Sequence, residues 1–206
     1  MRIFHIASDE EIKRGETTDI YFLRTEQVLK AKGLDKVVAY AEITSGEFPR
    51  GWKWAVLCGI EEAAKLLEGY PVNVDAMPEG TIFTWSDFRR IRVPVMTIEG
   101  PYISYARLET PLLGLLCQSS GIATAAARVR LAAGNKLVLN FGARRMHPAL
   151  SPLIGRSAYI GGVDAVSSVA AAKLLGIEPT GTMPHALIIM FGDQVEAWKA
   201  FDEVIS

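Results

Sequence analysis

Cysteine is scarce in this chain of 206 residues: Cys58 and Cys117 are the only two, and both stand in apolar company. No metal-ligand spacing accompanies them, so they read as buried free thiols of a reducing compartment. An excess of one charge is also lacking. Lys and Arg number 22 against 23 Asp and Glu, a net charge of −1. Without a basic bias, nucleic acid is not the expected partner. No run of about eighteen apolar residues occurs, so no membrane span is expected. The lead from Met1 to Gly15 carries Asp9, Glu10 and Glu11 and has no long apolar centre, which argues against a secretory signal. A cytoplasmic location is the expectation. Glycine loops of the P-loop or dinucleotide kind, internal repeats and low-complexity tracts are missing as well. Apolar residues are plentiful. They make up 50% of the chain, enough to bury one large core or two small ones.

The chain divides by pattern. Ser8 before Asp9–Glu10–Glu11 marks a capped helix after an extended lead, and Thr17–Thr18–Asp19 opens a longer one that Gly33 stops. Lys36–Thr44 and Trp54–Cys58 read as strands, Ile60–Leu67 as a helix, and Val93–Glu99 as a further strand. Val72–Phe83 reads as strand, turn at Met77–Pro78–Glu79–Gly80, strand. This first part predicts an α+β layer with a largely antiparallel sheet. From Thr110 to Ala133 the spacing of Leu112, Leu113, Leu116, Ile122, Ala126, Val129 and Ala133 predicts one long helix. Strand and helix then alternate. Leu137–Phe141 precedes a helix from Pro148, Ala158–Ile160 precedes a helix over Asp164–Leu175, and Thr180–Thr182 precedes a helix from His185. Three such units in a row predict a parallel sheet or a (β/α) barrel.

The stretch Leu137–Pro148 organises the rest. An apolar strand ends in Phe141, Gly142, Arg144, Arg145 and His147 before a helix begins. α/β proteins place ligand sites at such strand ends. A ring and two guanidiniums suit a flat, anionic, aromatic molecule. Each candidate also has a plainer reading. Arg144–Arg145 also fits a solvated loop pair. Asp164, after Gly161–Gly162, caps a helix or accepts a hydrogen bond from a ring or amide nitrogen. His185 is structural, or an acid, base or nucleophile at a strand end. Ser119–Ser120–Gly121 lacks a base at any recognisable spacing and reads as helix packing.

Five motifs in order carry a resemblance over the whole chain: Thr17–Tyr21, Glu109–Leu113, Phe141–Arg145, Gly161–Asp164 and Gly181–His185. Together they resemble nicotinate phosphoribosyltransferase, in its shorter, archaeal-type form. The resemblance implies an α/β protein in two domains. Residues 1–108 would form an N-terminal α+β, sandwich-like domain, and 109–206 an incomplete (β/α) barrel of the type II phosphoribosyltransferase kind. It implies transfer of phosphoribosyl from phosphoribosyl pyrophosphate to nicotinate, giving nicotinate mononucleotide for NAD biosynthesis. The partners implied are nicotinate and phosphoribosyl pyrophosphate with Mg²⁺, and ATP where turnover is ligase-like. By motif, Phe141 stacks on the pyridine and Arg144 contacts its substituent. Arg145 adds to the anion field, and Asp164 is the polar residue near the ring. Tyr21 closes the ring's other side from a neighbouring subunit, which implies a homo-oligomer, a dimer at least. His185 matches the histidine that some members phosphorylate, although Ala186 follows it where relatives often carry a polar residue. The family's later barrel strands have no counterpart before Ser206, so the 206-residue product is expected to be inactive alone. The alternatives are a quinolinate or nicotinamide transferase, or a non-catalytic binding or assembly module.

Overall fold

A computed structural model describes residues 3–205. Ser8 opens helix α1 (Asp9–Lys13) with a reciprocal cap. Its hydroxyl accepts from the Glu11 N–H at 3.3 Å, and the Glu11 carboxylate accepts from the Ser8 N–H at 2.8 Å. Ile3 to His5, the described start of the extended lead, is bent and joins no sheet; Met1 and Arg2 lie outside the described residues. α2 (Ile20–Ala31) follows Asp19, and Gly33 lies just past its end. Lys13 reaches across to the end of α3 (Ile60–Leu67), donating to the carbonyls of Lys65, Leu66 and Glu68. A cation there satisfies carbonyls that the helix leaves open.

The first part is antiparallel, as its pattern predicts. β1 (Val38–Thr44), β5 (Pro94–Pro101) and β3 (Asn73–Ala76) form one sheet in the order β1–β5–β3. Ala41 and Val74 both stand opposite Ile98. β2 (Ala55–Val56) and β4 (Ile82–Phe83) pair separately. The two strands flanking Met77–Gly80 therefore belong to different sheets. The segment bridges them through Met77 N–H to Val95 O and Gly80 N–H to Leu57 O. Met96 and Ile98 pack on Ala63, Leu66 and Leu67 of α3, on Tyr105 of α4 (Tyr102–Tyr105), and on Leu112 and Leu116 of α5 (Glu109–Ala133).

Helix α5 is the spine of the molecule. Its first half completes that core. Ala123 then touches Val56 and Cys58, and Ala126 enters a second core with Ala158, Val163, Val166, Ala171 and Ala172. Ser120, Thr124 and Arg128 recur every fourth residue, so they share one face of the helix. Thr124 Oγ1 accepts from the Val56 N–H at 2.9 Å, and Arg128 Nη2 donates to Trp54 O at 3.0 Å. Ser120 Oγ both accepts from Cys58 N–H and donates to Cys58 O, each at 3.0 Å. Polar side chains of a helix thus satisfy the open edge of β2, an unusual way to meet a strict requirement. The run Tyr102–Ala133 is long and apolar enough to cross a membrane by composition, but Tyr105, Leu108, Leu112, Leu116 and Ala126 on it enter the two cores of this fold. Cys58 is buried and Cys117 is exposed, a correction to the expected pair of buried thiols. Position 117 on α5 faces neither core.

The second part is parallel and barrel-like. β6 (Leu139–Asn140) lies beside β7 (Ala165–Val166), Leu139 opposite Ala165 and Asn140 opposite Val166. α6 (Ser151–Ile160) connects them, and α7 (Val169–Leu175) follows β7. Ala158–Ile160 is therefore the end of a helix, where a strand was expected. A short buried apolar run fits either element. The next helix begins only after Ser168, whose hydroxyl accepts from the Ala171 N–H at 3.4 Å, so Asp164 caps nothing. Thr180–Thr182 forms no strand; its tie to the sheet is Thr180 N–H to Val166 O at 3.0 Å. α8 (His185–Phe191) and α9 (Gln194–Ile205) close the described chain.

Candidate functional site at the end of the parallel strands

β6 ends at Asn140, and Phe141 leads out into a 3₁₀ turn, Gly142–Arg145. Phe141 is 47% exposed. Arg144 and Arg145 are exposed, and among the described residues neither side chain makes an ion pair or hydrogen bond. His147 turns the chain towards α6, its Nδ1 accepting from the Ala149 N–H at 3.2 Å, with the Phe4 ring edge-on to it. The end of β7 lies alongside. Ser167 N–H donates to Asn140 O at 3.0 Å, and the Ser151 and Ser168 hydroxyls meet. A ring and two unpartnered cations thus sit together at the carboxyl ends of parallel strands.

The other candidates fall elsewhere. Asp164 precedes β7, at the opposite end of the strand pair. Its Oδ2 accepts from the Val138 N–H and from Arg130 Nη1, both at 2.7 Å. The Val138 bond and the Arg130 charge hold its carboxyl below the ordinary value. Arg130 also donates to the carbonyls of Gly134 and Lys136, so the group ties the turn before β6 to β7. His185 is exposed at the first residue of α8. Tyr21 is 54% exposed on α2, its ring against Phe22. Thr110 Oγ1 lies 3.5 Å from Thr18 Oγ1, 3.3 Å from Asp19 N and 3.4 Å from Asp19 Oδ2. This joins the first two sequence motifs into one cluster. A cleft of about 250 Å³ opens nearby, lined by Tyr102, Tyr105, Glu109 and Leu112. Burial pushes the Glu109 carboxyl up.

A charged node escaped the sequence reading. Glu79 accepts both Nη1 and Nη2 of Arg156, each at 2.9 Å, and the Gly59 N–H at 2.7 Å. Glu61 takes Arg156 Nη2 at 2.6 Å. Burial works to raise the Glu79 carboxyl, but the Arg156 and Gly59 hydrogen bonds outweigh it and hold the group at about 2. Burial and the adjoining Glu79 carboxylate push the Cys58 thiol up to about 11. The depressed carboxyl adds stability that is complete above its ordinary 4.5 and is lost as pH falls through about 2. Glu79→Gln is therefore expected to flatten the acid side of the stability profile in that window. Urea midpoints measured at successive pH values check this.

Comparison with known proteins shows the family. The N-terminal domain model of quinolinate phosphoribosyl transferase matches residues 19–120, and the C-terminal domain model matches 122–206. The two meet inside α5. Nicotinate phosphoribosyltransferase of Bacillus subtilis is 30% identical over 216 residues, spanning 90% of this chain and 43% of that protein. Nicotinate phosphoribosyltransferase 1 of Arabidopsis thaliana is 41% identical over 141 residues, spanning 66% of this chain and 24% of that protein. The crystal structure of nicotinate-nucleotide pyrophosphorylase from Pyrococcus furiosus superposes with a TM-score of 0.93 at 55% identity, covering 100% of this chain and 51% of that one. This chain thus spans about half of that structure or less of the curated relatives. With two domain models that together take in nearly its whole length, the chain belongs to the quinolinate phosphoribosyl transferase family, the type II phosphoribosyltransferases.

Proposed function

We propose that this chain carries the pyridine-binding part of a nicotinate phosphoribosyltransferase. The observation that carries the reading is the exposed Phe141 beside two unpartnered arginines at the carboxyl end of β6. Phe141 offers a face to the ring and Arg144 a fork to its carboxylate. Arg145 adds to the field that attracts phosphoribosyl pyrophosphate. The ring nitrogen attacks the anomeric carbon and pyrophosphate departs, with catalysis resting on alignment and charge stabilisation. Mg²⁺ enters as the companion of phosphoribosyl pyrophosphate. His185 is the proposed contact for ATP-coupled turnover. The bonds made by Asp164 favour a supporting role over a catalytic one. Tyr21, exposed and on a separate helix, suits a site shared with a second copy. The two free thiols favour a cytoplasmic setting.

A second reading has its own support, because the solved relative at 55% identity is a nicotinate-nucleotide pyrophosphorylase and both matching domain models are those of quinolinate phosphoribosyl transferase. Quinolinate is the corresponding substrate of that reading. A panel of nicotinate, quinolinate and nicotinamide with phosphoribosyl pyrophosphate, with and without ATP, separates the two. It is run on the chain alone and on any longer form that contains it. Arg144→Ala is expected to lose about 2 kcal/mol of transition-state binding, roughly thirtyfold in kcat/KM, the value of a charge-assisted hydrogen bond to a carboxylate. Arg145→Lys keeps its charge and loses far less. Equal, small losses in the two variants would show that the pair is merely solvated.

A further inference from the structure

Arg156 lies midway along α6 and gathers three segments. Its fork takes both oxygens of Glu79, on the turn between the two sheets, and one oxygen of Glu61, in the first turn of α3. The Arg156 and Glu79 side chains are 20% and 16% exposed. On its other side, the same helix supports the candidate site. A Cβ at Gly142 would stand 3.5 Å from Ile154 Cγ2, and Ile154 is buried. Ser151, at the head of α6, meets Ser168 at the end of β7. The guanidinium and the site loop are thus fixed to one rigid rod.

The apolar contacts of α6 are not directional. They range from the buried Ile154 and Ala158, and Ile160 packed on Val56 and Cys58, to very small groups, Gly155 against Ala171 and Gly161 against Ala123. A planar fork on a carboxylate is directional, and it tolerates only a narrow range of placements. Partly buried ion pairs of this kind contribute specificity of position more surely than net stability.

We propose that Arg156 is a positioning residue: by locking α6 to Glu79 and Glu61 it sets the placement of the loop 141–147, and so the aim of Phe141 and Arg144. This rests on the reading of that loop as the pyridine site.

The test uses Arg156→Lys in the full chain, since an ammonium cannot bridge both carboxylates with fixed geometry. Hydrogen exchange is followed amide by amide, and nicotinate affinity by titration. The expected result is exchange about tenfold faster across 141–150, with α5 and β5 unchanged. Nicotinate affinity falls by a similar factor. Exchange that is unchanged in the loop, or that rises equally in α5, overturns the proposal. Glu79→Gln, similar in shape, supplies the same readouts if the lysine variant does not fold. Failure of the unaltered chain to bind any pyridine carboxylate overturns the site reading, and the exchange pattern then decides the anchoring alone.

Discussion

Arg107→Ala is expected to remove about 3 kcal/mol of folding stability. Arg107 follows the β-sheet core and faces α2. Its Nε donates to Glu26 Oε1 at 2.8 Å and its Nη2 to Glu26 Oε2 at 2.5 Å. Glu26 lies in the middle of α2 with its side chain 6% exposed, while that of Arg107 is 38% exposed. The asymmetry sets the magnitude. Truncating the arginine leaves a carboxylate buried without its partner, which costs about 3–5 kcal/mol when both groups are buried and less when one meets water. Packing is lost as well. Gly15 sits directly on the Arg107 stem, so close that a Cβ there would fall 2.6 Å from Cγ. Replacing both partners, Glu26→Leu with Arg107→Leu, removes the stranded charge and is expected to recover most of the loss. Urea unfolding of the two variants decides the matter. A single-variant loss below about 1 kcal/mol would mean the pair behaves as a surface bridge.

Interactions of this kind explain what was legible in the sequence and what was not. Helix α1 and its cap follow from Ser8 and Glu11, three residues apart. Helix α5 follows from a period kept over its length, and the Phe141–Arg145 loop from an abrupt change of chemistry after an apolar strand. Each of these signals is local. Glu26 and Arg107 are 81 residues apart, and Glu79 and Arg156 are 77 apart. No spacing rule links such pairs, and either glutamate read alone is a surface residue. Asp164 misled for a related reason. Its position after two glycines suggested a helix start, but its partners are Arg130 and the Val138 backbone, which only the paired strands bring near. The strands around Met77–Gly80 are legible in the sequence, yet their assignment to separate sheets depends on long-range partners, Val95 and Leu57.

Gly161 and Gly162 show the same limit, and they carry the other large prediction. Read as a strand-to-helix turn, the two glycines serve the reverse passage, from α6 into β7. Gly162 has φ +99°, a conformation that costs other residues dearly. Gly161 has ordinary helical dihedrals and is needed for space. A Cβ there would stand 2.3 Å from Ala123 O and 2.7 Å from Ala126 Cβ, both on α5. The carbonyl belongs to a helical backbone and has no rotamer by which to escape. Gly161→Ala must therefore push α6 off α5, opening the core shared by Ala126, Ala158 and Val166. The expected loss is about 3 kcal/mol, at the upper end for overpacking. Gly121, also on α5 but with open space around its Cβ position, is the control. Gly121→Ala is expected to gain about 0.5–1 kcal/mol from helix propensity. Thermal unfolding of both variants measures the contrast. Similar midpoints for the two would show that the α5–α6 contact gives way easily, and that Gly161 is not what holds the helices at this distance.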